Sequence, residues 1–401
     1  AARPEEAGFD AARLARIPGW LRGEVERGVL PGAAVAVARD GKLVLLEGIG
    51  FRDRAAGAAM PVDGVFRIAS MTKAIVSVAA LMLAEEGRLR LIDPVAEYIP
   101  ALRDMRVGIE RPGEAELAFE AAARPFTIHD LLRHTAGLGY GLSGTGRVDL
   151  MYREARITRP DQTMEEFIAR LAALPLLAQP GRRWEYSVAT DVLGRVLEVV
   201  TGQDLATVLR ERVTGPLGMT ETGFWADGAA LERLAAPQPN PQTGQVPPMR
   251  DVRQRPRWFS GGGGMVSTAA EYGRFLQTLL EGGRMSDGPR LLARSTVAFM
   301  TANHVPPGAA IWPALPQTYG VLAPVAEMGQ GFGLGFAVRL AEGRNPAPGN
   351  VGDYSWAGAT GCYYWVDPAQ RLWGVLLTQA PWTGRTYRAT LRQLVYAALD
   401  A

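Results

Sequence analysis

The sequence predicts an α+β fold in which helices flank one antiparallel sheet built from both ends of the chain, with a mainly helical segment inserted between them. Three observations carry this. β-prone runs stand near both termini, at 33–38 and 43–48 and again at 333–340, 361–366 and 372–378. From Gly87 to about Arg250 the apolar spacing is mostly helical. Prolines at 237, 239, 241, 247 and 248 then mark an irregular stretch, Pro237–Pro256, that brings the chain back to its first part. The expected division is an α/β domain from 1–86 and 260–401 and a mainly helical domain from 87–259, parts of which pack back on the first. The 401 residues exceed the roughly 250–300 at which single cores stop growing.

In order along the chain, Phe9–Glu26 carries Leu14, Ile17, Leu21 and Val25 at helical spacing, which predicts an amphipathic surface helix kinked at Pro18-Gly19. The two runs that follow are joined by Arg39-Asp40-Gly41-Lys42, and the Asp-Gly pair is a hairpin signal. A buried helix is predicted over Ala74–Ala84, which holds no charge. Helices are predicted at 127–133, 164–174, 190–201 and 205–213, each bounded by glycine or proline. After the proline-rich stretch come helices near 269–281 and 295–300, the C-terminal strands, and a closing helix near 387–399.

Composition excludes several classes. With 43 basic and 41 acidic residues spread along the chain, the net charge is +2 and no basic run suggests a nucleic-acid partner. Cys362 is the single cysteine, expected as a small buried residue, and His129, His134 and His304 lack ligand-like spacing, so no metal site and no cofactor is expected. The eleven-residue apolar helix is well short of the roughly 20 residues that span a bilayer. No signal segment is visible, and a cytoplasmic location is expected, with a periplasmic or secreted one if a leader has been removed.

Only Lys42 and Lys73 among the basic residues are lysine. Lys42 falls in the hairpin turn, where a solvated residue suffices. Lys73 follows Ser70 by three positions at the start of the buried helix. Burial and the positive helix end both disfavour an ammonium, and lysine responds by losing its proton, which a guanidinium cannot do. A neutral amine one turn from a hydroxyl accepts its proton and makes serine a nucleophile. The helix start also offers a backbone N–H to a developing oxyanion.

Ser70-Met71-Thr72-Lys73 resembles the Ser-x-x-Lys motif of the serine β-lactamase and penicillin-binding-protein superfamily. Tyr186-Ser187-Val188, about 115 residues on, resembles that family's Tyr-x-Asn element. Trp356-Ala357-Gly358-Ala359-Thr360-Gly361, about 170 further, is similar to the Lys-Thr-Gly box and the Ala-Thr-Gly of class C β-lactamases. The resemblance covers most of the chain and implies a β-lactamase-like fold. Val188 and Trp356 stand where the family has the Asn and Lys that help hold a lactam, and a tryptophan box beside Ser-x-x-Lys and Tyr-Ser is what family VIII carboxylesterases look like. The Gly-x-Ser-x-Gly elbow of other esterases is absent from all nine serines.

The resemblance assigns Ser70 as nucleophile, Lys73 as its proton acceptor, and Tyr186 as the partner that shares the proton and passes it to the leaving group. The Ser70 and Ala359 N–H groups would form the oxyanion hole. Tyr140 is implied to line the acyl pocket, and Val188, Trp356 and Gly358 to meet substrate in a cleft more apolar than a lactamase's. His134 is expected to be structural, Asp191 a helix-start cap, and Gly261–Gly264 a tight turn rather than a phosphate loop. The implied function is hydrolysis of small, short-chain carboxylic esters through an acyl-enzyme on Ser70. The alternatives are a β-lactamase or D-Ala-D-Ala peptidase, which the two departures disfavour, an acyltransferase using the same intermediate, and a catalytically inactive binding protein, against which the retained Ser70, Lys73 and Tyr186 argue.

Overall fold

The structure, a computed structural model, describes residues 2–400 apart from 112, 114, 115, 143, 287 and 312–317. Its main sheet has eight strands in the order 330–332, 337–339, 354–357, 363–367, 372–378, 32–39, 42–53 and 58–59, every neighbouring pair antiparallel. The two ends of the chain meet in its middle, where Ala33 pairs with Thr378 and Arg39 with Leu372. The hairpin turn has Asp40 at φ 52° and Gly41 at φ 74°, the double positive φ that matches a two-residue turn to the strands' own twist.

Helix Ala269–Leu280 covers one face of the sheet, where a Cβ on Gly273 would lie 2.4 Å from the Trp373 ring. Neighbouring strand residues point to opposite faces, and Gly374 accordingly receives the Trp365 ring from the other side, where Arg392 of the closing helix Gly384–Ala397 lies over that indole. The predicted apolar helix runs Thr72–Glu85, is buried without interruption from Thr72 to Leu81, and packs on helix Ala189–Thr201. Each buried Ile, Val or Leu there stabilises the fold by about 1.5–3 kcal/mol, so the residue that begins this helix is held rigidly.

Several expected elements differ. The first helix divides at Ala15 into Ala11–Leu14 and Arg16–Glu26; Pro18 would clash with the carbonyl four residues back, and sits instead in a new first turn that needs no N–H from it. The expected run 333–340 is a hairpin, strands Gln330–Phe332 and Ala337–Arg339, because Gly335 turns the chain at φ 111°. Helix 205–213 is α-helical only over Leu205–Leu209 and widens to a π turn at Arg210–Thr214; Pro216 has no N–H to continue the α pattern, and Gly215 N bonds Arg210 O at 2.7 Å. Strand Tyr354–Ala357 and the hairpin Arg106–Ile109 with Ala118–Ala121 were not expected. They are only four residues each.

Candidate active site

Ser70 lies in a single 3-10 turn, Ala69–Met71, just ahead of the buried helix. Ala69 takes φ 45°, an uncommon conformation for a residue with a Cβ that persists where packing over-determines it. That packing is visible. Ile68 N donates to Met265 O at 3.0 Å, Thr72 Oγ1 donates to Ala69 O at 2.7 Å, and a Cβ on Gly358 would come within 2.4 Å of Ile68 O. The glycine at 358 therefore lets the end of strand Tyr354–Ala357 lie directly against the nucleophile's turn.

Lys73 is fully buried. Its Nζ donates to Ser70 Oγ at 3.2 Å, to Tyr140 Oη at 2.9 Å and to the Gly262 carbonyl at 2.6 Å. The amine also lies 4.6 Å from the centre of the Tyr186 ring, within cation–π range. Tyr140 thus makes the phenolic hydrogen bond to the amine, whereas Tyr186 presents its face. Burial first, then the charge of Asp191 and the neighbouring phenols, hold the Tyr140 hydroxyl well above its usual range, so it remains a phenol.

Tyr186 Oη accepts from Trp356 Nε1 at 3.1 Å. Its ring meets those of Tyr140, Tyr319, His134 and Trp356. His134 supports this cluster from behind: Ser187 N donates to His134 Nδ1 at 3.3 Å. Burial, with Lys73 as a lesser cause, pushes the imidazole well below its ordinary value, and a neutral ring can accept that bond. His134 therefore fixes the Tyr186-Ser187 turn and does not face the cleft.

A cleft of about 850 Å³ opens over Ser70, lined also by Tyr140, Tyr186, Trp356, Gly358 and Ala359. Val188 is apart from these: it is fully buried at the start of helix Ala189–Thr201 and is not among the lining residues. The lining is also less apolar than its Val188 and Trp356 suggested. Arg250, Arg385 and Arg388 contribute to it, and burial pushes the Arg388 guanidinium down to about 10. Long-range folding brings in these arginines and Tyr319, and no sequence signal marked them.

Asp191 corrects another expectation. It does not cap its own helix; its carboxylate accepts from Ser260 Oγ at 2.6 Å and from Gly262 N at 3.0 Å. The run of glycines at 261–264 was the available clue, and it is indeed a turn, closed by Gly264 N to Ser260 O at 2.8 Å. Two histidines that sequence spacing left apart also meet, His129 Nε2 and His304 Nδ1 lying 2.9 Å from each other. Among the described residues no group of three or more His, Cys, Asp or Glu is arranged to hold a metal ion, and no helix is long and apolar enough to cross a membrane.

Serine beside a buried amine at the floor of a roomy cleft forms a site for nucleophilic acyl chemistry. The chain is 34% identical over 420 residues to esterase EstB of Burkholderia gladioli, covering 98% of each. It is 34% identical over 360 residues to protein Rv1367c of Mycobacterium tuberculosis, covering 88% of this chain and 86% of that one. Among solved structures it resembles EstCE1, described as a hydrolase with promiscuous acyltransferase activity, with a TM-score of 0.79 and 27% identity over 96% of this chain and 99% of the other. The β-lactamase family model matches residues 18–397, nearly the whole sequence, and the chain belongs to that family.

Proposed function

We propose that this protein is a serine carboxylesterase of the family VIII type that cleaves small, short-chain esters through an acyl-enzyme on Ser70. The observation that carries the reading is the 3.2 Å contact between Ser70 Oγ and the Nζ of a fully buried Lys73 at the base of the cleft. Gly262 O and Tyr140 Oη hold the amine in place beside Ser70 Oγ. As Oγ attacks the ester carbonyl, the amine takes the hydroxyl proton. The developing oxyanion is received by the amides of Ser70 and Ala359. Tyr186, whose oxygen already accepts from Trp356, passes its own proton to the departing alkoxide, and the proton held on Lys73 restores it through an intervening hydroxyl or water, because the amine meets the Tyr186 ring and not its oxygen. Water then enters by the reverse path and releases the acid. The esterase name of the Burkholderia relative supports the assignment.

The same intermediate serves a second reading, transfer of the acyl group to an alcohol, favoured by the acyltransferase activity that EstCE1's description records. Including a short alcohol in the reaction and measuring the ester formed separates the two. The domain division belongs to the proposal as well: every main-sheet strand lies outside 87–259, and the cleft takes residues from both sides of that division. The test of substrate class is kcat/KM for 4-nitrophenyl butyrate against a chromogenic cephalosporin. Trp356 offers a lactam no ammonium, so the ester should be cleaved far faster, with long-chain esters poor. An equal or faster cephalosporin reaction would mean that Arg250 and Arg388 anchor the lactam carboxylate, and would overturn the esterase assignment.

A further inference from the structure

We infer that Asp191 is a positioning residue for proton transfer at Ser70, acting through the glycine turn that grips Lys73. The inference rests on the reading of Lys73 as proton acceptor. Asp191 is buried in the first turn of helix Ala189–Thr201. Both of its bonds to the turn end on one atom, Oδ1, which takes the Ser260 hydroxyl at 2.6 Å and the Gly262 amide at 3.0 Å. Gly262 then presents its carbonyl to Lys73 at 2.6 Å, the shortest of the amine's three hydrogen bonds.

The glycines are what allow this approach. A Cβ on Gly262 would fall 2.4 Å from Asp191 Oδ2 and 2.9 Å from Tyr140 Oη, and one on Gly261 would fall 2.6 Å from Thr190 O. The far end of the turn is tied to the nucleophile's own segment, since Met265 N donates to Thr72 Oγ1 at 3.2 Å and Met265 O accepts from Ile68 N. The turn is thus anchored by Asp191 on one side and by the Ser70 helix on the other, with Lys73 held between. Removing the carboxylate leaves the Gly262 amide a buried donor without a partner. The peptide is then free to rotate toward another acceptor, and its carbonyl leaves the amine. Lys73 loses the contact that sets its distance from Ser70.

Because both bonds use Oδ1, an asparagine can keep them with its amide oxygen, and this supplies the control. Turnover of 4-nitrophenyl butyrate and thermal melting are measured for Asp191→Ala, Asp191→Asn and Ser260→Ala beside Ser70→Ala and Lys73→Arg. Misplacing a catalytic group by about 1 Å costs on the order of a hundredfold, and Asp191→Ala should lose about that in kcat while KM stays within about threefold. Asp191→Asn should recover kcat to at least about a tenth of wild type, and Ser260→Ala should lose roughly five- to tenfold in kcat. Wild-type kcat in Asp191→Ala, a loss confined to KM, or a folded Asp191→Asn as impaired as Asp191→Ala would overturn the inference. Should Asp191→Ala not fold, Ser260→Ala decides, and wild-type kcat there overturns it. Full turnover by Ser70→Ala or Lys73→Arg would instead remove the functional reading itself.

Discussion

Replacing Lys73 by arginine keeps a long basic side chain and should nevertheless stop the enzyme. Lys73 is fully buried, and its Nζ is fixed by contacts of 2.6, 2.9 and 3.2 Å to Gly262 O, Tyr140 Oη and Ser70 Oγ. A planar guanidinium is larger than an ammonium and cannot satisfy three acceptors converging on one atom. More decisively, a group that titrates above roughly 12 does not take a proton from serine near neutral pH. General-base catalysis contributes about 10²–10⁴ in rate, so a loss of about 10³ in kcat/KM is expected, near 4 kcal/mol of transition-state stabilisation. The assay is hydrolysis of 4-nitrophenyl acetate, with the mass of Ser70 followed after a phosphonate probe to separate failed acylation from slow release. Lys42→Arg is the control: among the described residues Lys42 Nζ donates to the Glu6 carbonyl at 2.7 Å, in an exposed contact, and activity should not change. Comparable turnover by the two variants would remove Lys73 from the mechanism.

Trp356→Phe keeps the ring against Tyr186 but deletes the N–H that reaches its oxygen; a loss of about 1–1.5 kcal/mol, roughly five- to tenfold in kcat/KM, is expected on the same ester. Asp353 is buried between Arg339 and Arg392, at 2.8 Å from each, and Asp353→Ala leaves two buried cations unpaired, so denaturant unfolding should show a loss of about 3–5 kcal/mol. The His129–His304 pair should make the protein acid-sensitive. Burial holds His129 down at about 4 and lowers His304 as well, so between about 4 and 6.5 the unfolded chain binds protons that the folded one does not, and the pair's contribution, complete above 6.5, is lost as pH falls. Melting from pH 7 to 4.5 should therefore fall more steeply for wild type than for His304→Gln. Glu185, which burial pushes up to about 7, acts in the opposite direction and cancels in that difference; parallel slopes would show that the pair does not titrate.

What the sequence revealed about the site was what lies close along the chain. Ser70 and Lys73 are one helical turn apart, and the uncharged run after them shows that the amine is buried; no tertiary information is needed for either step. The Asp40-Gly41 turn is legible for the same reason, since a two-residue hairpin is a local property. Motif resemblance extended this reach to Tyr186 and Trp356, but not to the bond between them. Nothing in a pattern of residue types says that an indole N–H ends 3.1 Å from a phenol 170 positions earlier. Asp191 was misread for a related reason. An aspartate near a helix start is usually a cap, and only the approach of the glycine turn, made by packing across about 70 residues, shows that its carboxylate is already used elsewhere. Tyr140 and Tyr186 divide their tasks in a way that spacing cannot express, because both converge on the same amine.

The exchange of lysine for tryptophan in the third motif is then more than the loss of an anchor. The position faces Tyr186, whose ring lies against Lys73, and it is enclosed by Tyr319 and Phe332. An ammonium there would sit in an aromatic pocket beside the buried Lys73, and burial would oppose its charge. The indole supplies a directed N–H to the Tyr186 oxygen without that charge, and its ring completes the wall of the cleft. The proposed proton path around Ser70 would keep its donor, while an anionic substrate would meet no cation at this point. Any carboxylate must then look to Arg250 or Arg388, which reach the cleft from the returning segment and the closing helix. On the proposed mechanism, catalytic apparatus and substrate anchoring are separable in this fold, and the residue at 356 bears on the second without removing the first.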